Sequence, residues 1–394
     1  MNKSIKLETF ALCLSAFFDQ INLLLHLLFR ILGLQNTFTT ELLILLNLTF
    51  AVLVIQKYRH NAINSLLFPL IIAVLYFVTY FRLGSNFGYV QSNVTEKLFL
   101  NSIPAYIVVY LIPECIDIKK VLKTVSIAFL VFVGVEVILK NIGSPLSISM
   151  DYQAISYATL IPIIFFVCEE KKGVLEYLAI AIGFTILVFF GGRGPIICGL
   201  VCVLYSMLND VRKKKWKILL IVLLIIAGYF TYDYIISWVV STSNRYTFAG
   251  SILFYNNRGD LFSDSGRYDI YNIGLNVARD SALIGRGLGA DRYFLGLYGF
   301  RFSNYPHNFF IEIWIQFGFI IGTMIIIILL KRILQMFLSK SSFGGEFRLF
   351  EICFFSTGFL VLMFSSSYLL CPLFFGMIAF ILKKGKIRFV FGNR

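Results

Sequence analysis

Between Ser241 and Tyr305 the chain carries Arg245, Arg258, Arg267, Arg279, Arg286, Arg292 and Arg301 and no lysine, whereas the rest of its 394 residues hold 19 lysines and 9 arginines. A guanidinium grips phosphate or carboxylate through two parallel N–H bonds, which the point charge of a lysine cannot do. Seven arginines without a lysine therefore point to recognition of an oxyanion rather than to solubility. The segment runs straight into Pro306-His307-Asn308, at the mouth of an apolar stretch. These residue types in this order predict a phosphate-handling site at a membrane surface.

Local patterns say how such a site would be held. Gly266 to Asp280 places Ile270, Ile273 or Gly274, and Val277 at helical spacing, which predicts a short amphipathic helix on the membrane surface with Arg267 in its first turn. Ile284-Gly-Arg-Gly-Leu-Gly289 follows. It is too loose for a dinucleotide turn, because no strand precedes it. Its glycines instead allow positive φ and a close backbone approach to a ligand or a helix, with Arg286 between them free to reach an anion. Gly191-Gly-Arg193-Gly-Pro195 is a turn between two apolar stretches, with Pro195 suited to the first position of a helix. Both Pro195 and Pro306-His307-Asn308 mark helix N-termini, whose free N–H groups and dipole favour anions. Alone, Arg193 also reads as an arginine snorkelling to the interface, and His307 as a helix cap.

The elements that must carry these residues are membrane helices. The chain is 58% hydrophobic and only 14% charged, far from the usual soluble composition. This predicts an all-α polytopic integral membrane protein. About twelve transmembrane spans can be placed at 8–29, 38–56, 64–81, 98–113, 121–139, 154–168, 174–190, 195–208, 218–240, 306–330, 349–364 and 368–382. Residues 1–394 then form a single membrane domain with one long external loop, 241–305. With both termini inside, cytoplasmic connections collect 23 of the lysines and arginines, the short outer ones five and the long loop seven. Positive charge marks the inner side, so the arginine loop faces outward, into the periplasm. Nucleotide-sugars and ATP are absent there, so an activated substrate would have to be lipid-linked.

The same bookkeeping makes the net charge of +14 a topology signal, and nucleic acid is not expected as a partner. The first apolar stretch lacks a small-residue cleavage pattern and holds Asp19, Gln20, Asn22 and His26, so it is expected to stay in the mature protein. The seven cysteines lie in or beside apolar stretches and none in the loop, which predicts no disulfide framework outside. With only His26, His60 and His307, far apart in sequence, no metal site and no cofactor is expected.

The order G-x-R-G before a span (Arg193), S-G-R-(x)3-Y (Arg267 and Tyr271), G-x-G-x-G (Arg286) and P-H-N before an apolar span with Gly318 resembles the O-antigen polymerase and O-antigen ligase superfamily. Ser365-Ser366-Ser367-Tyr368 and Pro372 before the last span are similar too. Two departures concern helix packing: Gly318 and Gly322 give G-x-x-x-G where the family often has G-x-x-G, and Tyr271 stands where tryptophan is usual. The resemblance implies a GT-C-like membrane fold in the bacterial inner membrane. It also implies a donor glycan on undecaprenyl diphosphate, an acceptor sugar hydroxyl, and neither metal nor nucleotide. A polymerase acting on lipid-linked repeat units would work beside a flippase and a chain-length regulator. On this reading Arg193, Arg267 and Arg286 offset the charge of the leaving diphosphate, and His307 takes the acceptor proton or donates to the diphosphate. Arg292, Arg301, Asn308 and Tyr271 would contact substrate.

A flippase or ion-coupled carrier for lipid-linked glycans is the alternative from another class. Asp19, Asn22 and His26 share one face of the first span and could mark a proton path, though a polar seam between helices explains them equally well. The long loop favours the enzyme, since alternating access needs no such lid. Within the enzyme reading, ligase stays open beside polymerase. Residue usage rich in Ile, Phe, Lys and Asn, as in strain-specific polysaccharide genes, leans to polymerase.

Overall fold

A computed structural model of the protein describes residues 7–32, 39–112, 119–141, 152–169, 172–190, 193–211, 267–281, 283–300, 305–338 and 351–391. The expected span 218–240 and Arg245, Arg258 and Arg301 lie outside the described residues. The regular structure within them is helical throughout, and no strand occurs among them. The chain divides into two compact units, 1–122 with 266–394, and 123–265.

The first unit opens with α1 (Leu7–Ala16), α2 (Phe18–Ile31), α3 (Thr39–Lys57) and α4 (Arg59–Leu83). Its helical path continues through Gly84–Phe87 and two π-helical turns, Gln91–Thr95 and Leu98–Ser102, into α5 (Ile103–Leu111). Every residue of α5 is buried, and α1, α3 and α4 all pack on it. The outer faces of α3 and α4 expose Leu45, Leu67, Leu70 and Phe81, as suits helices whose solvent is lipid. The expected first span is not one straight rod: α1 and α2 meet at Phe17 with a bend of 83°. Polar side chains anchor both arms to α3. Ser15 donates to Asn47 at 2.6 Å, while Thr39 and Thr40 bond His26 and Asn22. The polar face of α2 thus forms a seam between helices.

The second unit contains α6 (Lys119–Asn141, its first turn counted with the first unit), α7 (Tyr152–Cys168), α8 (Val174–Phe190) and α9 (Arg193–Val211). Helix α7 packs against both α8 and α9. Lys123 of α6 pairs with Glu176 of α8 at 2.9 Å.

The chain re-enters the first unit with α10 (Arg267–Arg279), α11 (Asp291–Leu297), α12 (Phe309–Phe317), α13 (Phe319–Leu338) and α14 (Pro372–Phe391). Helix α10 is the expected amphipathic helix, and Ile270, Gly274 and Val277 are its buried face. It lies on α12, where Val277 and Ala278 meet Ile311 and Ile315. The expected span 306–330 breaks at Gly318, whose φ of 84° is left-handed. A Cβ there would stand 2.7 Å from the Ser281 carbonyl oxygen, so only glycine lets α12 end beneath the incoming chain.

This break has a structural use. The last carbonyls of a helix lack intrahelical partners, and those of Ile315 and Gln316 accept the Arg286 and Gly287 amides at 2.8 and 3.0 Å. A side chain at Gly285 would collide with the Gln316 carbonyl. From the other side, Arg82 donates to the Gly285 carbonyl and Thr79 accepts the Leu288 amide at 2.7 Å. The expectation of close backbone approach to a helix holds, with the C-terminus of α12 and the end of α4 as the two jaws.

Residues 351–363 wind from α-helix through a π-helical stretch, Phe354–Phe359, into Leu360–Met363, and then give way to the serine turn before α14. By length and composition, three helical runs can cross a membrane: Thr39–Lys57, Arg59–Thr95 and Phe319–Met336, or four if the bent α1–α2 pair is one span. Six shorter apolar helices accompany them among the described residues, so twelve full-length spans are not what the described helices present.

Candidate active site

Asn308 starts α12. Its backbone is extended and its Oδ1 accepts the Phe310 and Ile311 amides at 3.0 and 3.3 Å, the usual work of an N-cap residue. The cap is therefore Asn308 and not His307, and Asn308 spends its side-chain oxygen on the helix. His307 is left to do something else. Its φ is 51°, and it shares with Ser366 (φ 67°) the distinction of a left-handed backbone without being glycine, among the described residues. Residues held this way concentrate at functional sites.

The half-buried His307 ring lies 4.2 Å from the Tyr305 ring, between centroids. Its Nδ1 is buried with no hydrogen-bond partner among the described residues. Burial, and then the charges of Arg267 and Arg292, push its pKa down to about 4. The imidazole is neutral at neutral pH and can take up a proton. Tyr305 is fixed from beyond, because its hydroxyl oxygen accepts the Ser366 amide at 3.1 Å. The Arg292 guanidinium lies over the Tyr305 ring at 5.6 Å.

The arginines divide into two kinds. Arg292 is fully buried, and its Nη1 donates to both oxygens of Asp291, at 2.9 and 2.7 Å, and to Glu312 at 3.2 Å. Gln316 donates to Asp291 at 2.6 Å and accepts from the Tyr368 hydroxyl. Glu312 also accepts from the Ser367 hydroxyl. Arg267 and Arg286, by contrast, have no carboxylate partner among the described residues. Arg267 stands half-buried in the first turn of α10, and Arg286 lies 4.7 Å above the Phe294 ring with its Nε buried and unpartnered. Arg286 Nε, Arg292 Nη2 and His307 Nδ1 are thus buried without a partner among the described residues, and such groups normally find one in a ligand or water.

Of the residues singled out in the sequence, Arg267, Arg292 and His307 come together, with Arg286 on the adjoining turn. Tyr271 packs on the α10–α12 contact. Arg193 opens α9 in the other unit, and its side chain, like Arg301, lies outside what the structure describes. Sequence reasoning missed Asp291, Glu312 and Gln316. One legible signal was there: Glu312 and Gln316 are four residues apart in an apolar run, hence on one helix face. The arrangement sets guanidinium groups around a neutral imidazole, chemistry suited to binding an anion and accepting a proton.

No curated protein matches the chain. Residues 178–327, the stretch that holds Arg193, Arg267, Arg286, Arg292 and His307, match the family model described as O-Antigen ligase.

Proposed function

We propose that this protein is an O-antigen polymerase, joining oligosaccharide repeat units carried on undecaprenyl diphosphate into long-chain polysaccharide at the periplasmic face of the inner membrane. The observation that carries this reading is the half-buried neutral His307, whose Nδ1 is buried without a partner among the described residues, set among Arg267 and Arg292. The acceptor hydroxyl attacks the anomeric carbon of the donor glycan while the bond from that carbon to the diphosphate oxygen breaks. The hydroxyl proton passes to His307 Nδ1. The bonding pair leaves with the diphosphate, whose growing charge Arg267 and Arg286 offset, while Arg292 offers Nη2 as a hydrogen-bond donor. A single displacement inverts the anomeric configuration. The bilayer supplies the donor's polyprenyl tail with its solvent, and a flippase and a chain-length regulator are the partners this activity needs.

The family match, whose description names the ligase, supports a second reading in which the acceptor is lipid A core. Both use one donor and differ in the acceptor. A deletion strain separates them: a single repeat unit on core in place of the long-chain ladder means polymerase, and bare core means ligase. The carrier reading is tested on purified protein. Extension of undecaprenyl-diphosphate-linked repeat units is expected without nucleotide-sugar and with EDTA present, because the donor already stores its activation. Loss of the general base in His307→Ala lowers the rate about 100- to 10,000-fold, whereas His26→Ala, in the α2–α3 seam, has little effect. Translocation without bond formation, or a silent His307→Ala beside a dead His26→Ala, gives the carrier reading the case.

A further inference from the structure

The buried cluster beside His307 sets two carboxylates against one guanidinium. Asp291 and Glu312 both engage Arg292 Nη1, while Nη2 stays buried and without a partner among the described residues. Glu312 reaches further than this ion pair. Its Oε1 also accepts Gln316 Nε2 at 3.4 Å and the Ser367 hydroxyl, and its Oε2 faces the Tyr368 amide at 3.4 Å. Every hydrogen bond of this carboxyl group among the described residues is with a donor, which is how an ionised carboxylate, an acceptor only, is satisfied. Ser367 and Tyr368 follow Ser366, the left-handed residue whose amide holds the Tyr305 hydroxyl. Tyr305 meets both the Arg292 guanidinium and the His307 ring. One carboxylate therefore touches both supports of the imidazole: the guanidinium over Tyr305, and the serine turn that fixes the Tyr305 hydroxyl.

We infer that Glu312 is a positioning residue, which aligns His307 through the serine turn and Tyr305 and holds Arg292 so that Nη2 is presented to the donor diphosphate. The inference rests on the glycosyl-transfer reading of the same site. It has two consequences of opposite sign. Removing the carboxylate charge leaves Arg292 offset by Asp291 alone, so the site becomes more positive and holds a diphosphate more tightly. Releasing the serine turn displaces the imidazole, so turnover falls. A glutamate that only stabilised the fold would lose binding and turnover together.

The test compares wild type, Glu312→Gln and Ser367→Ala in lipid nanodiscs at pH 8. Binding of undecaprenyl diphosphate is measured directly, and kcat and KM with the lipid-linked repeat unit. For Glu312→Gln, diphosphate binding about 3- to 10-fold tighter is expected, with kcat roughly 100-fold lower, the cost of a misplacement near 1 Å. Ser367→Ala, which removes one hydroxyl and no charge, is expected to lower kcat about 10-fold with diphosphate affinity unchanged, and it stands as the test if Glu312→Gln does not fold. Unchanged kcat in Ser367→Ala, or weaker diphosphate binding by Glu312→Gln, overturns the inference. Wild type that binds diphosphate and transfers glycan, with Glu312→Gln indifferent in both assays, removes this inference alone. Wild type that binds no diphosphate removes the glycosyl-transfer reading along with it.

Discussion

His307 holds its proton weakly for a stated reason, and the reason can be titrated. Burial disfavours the imidazolium, and the neighbouring Arg267 and Arg292 repel it. The depressed value keeps the base neutral as pH falls, so the acid limb of kcat/KM, which reports the free enzyme, is expected near pH 4. Arg267→Gln removes one repelling charge, which raises the histidine pKa and moves that limb to higher pH. A pH profile of kcat/KM for the two proteins checks this, and a limb that moves down instead contradicts the assigned electrostatics. The arginines themselves are expected to be intolerant of lysine. Arg267→Lys and Arg286→Lys keep charge but lose the planar fork, and a lost donor to a developing oxyanion costs about 2.7–4 kcal/mol, or 100- to 1,000-fold in rate. Arg245→Lys and Arg258→Lys, outside the motifs, serve as tolerant comparisons. Near-normal polymer from Arg267→Lys and Arg286→Lys at normal expression refutes the clamp.

At the scale of elements, the turn from Gly285 to Leu288 is held in backbone hydrogen bonds by α12 and in side-chain ones by α4. Gly285→Ala would drive a methyl group into the Gln316 carbonyl, and overpacking of this kind costs about 1–3 kcal/mol. A lowered unfolding temperature together with reduced transfer is the expected result. Gly88→Ala, where a Cβ meets nothing within 4 Å, is expected to change neither, and equal behaviour of the two variants speaks against the clasp. Periodicity alone disclosed α10, because its buried face alternates with polar residues in an otherwise legible loop. The bend at Phe17 and the break at Gly318 were hidden, since each sits inside a stretch apolar enough on average to read as one span, and hydropathy does not report direction. What betrays them is long-range: Asn47 and Thr40 reaching α1 and α2, and the Ser281 carbonyl occupying the space above Gly318.

On the scale of the whole molecule, the outward-facing loop rests on charge counting, which is open to direct test. A cysteine at Ser251 is expected to react with a membrane-impermeant thiol reagent in spheroplasts, and one at Ser341 only after permeabilisation. The reverse pattern places the site on the cytoplasmic side. Much of the candidate site was visible from residue type, since Arg267, Arg286 and His307 stand in motifs and Arg292 belongs to the lysine-free arginine stretch. The difference between Arg292 and its neighbours was not, because it depends on Asp291 and Glu312 meeting one guanidinium from different helices. No spacing rule joins residues 291, 312 and 367.

The amides of Arg286 and Gly287, bound to carbonyls of α12, also give the site an internal gauge. Main-chain atoms form this link, so it does not depend on the Arg286 or Leu288 side chain. Deuterium uptake at those two positions is slow while the link is closed and rapid once it opens. An inactive variant that keeps both amides protected has lost a chemical group, whereas one that exchanges them freely has lost its scaffold, and the distinction requires neither donor nor acceptor.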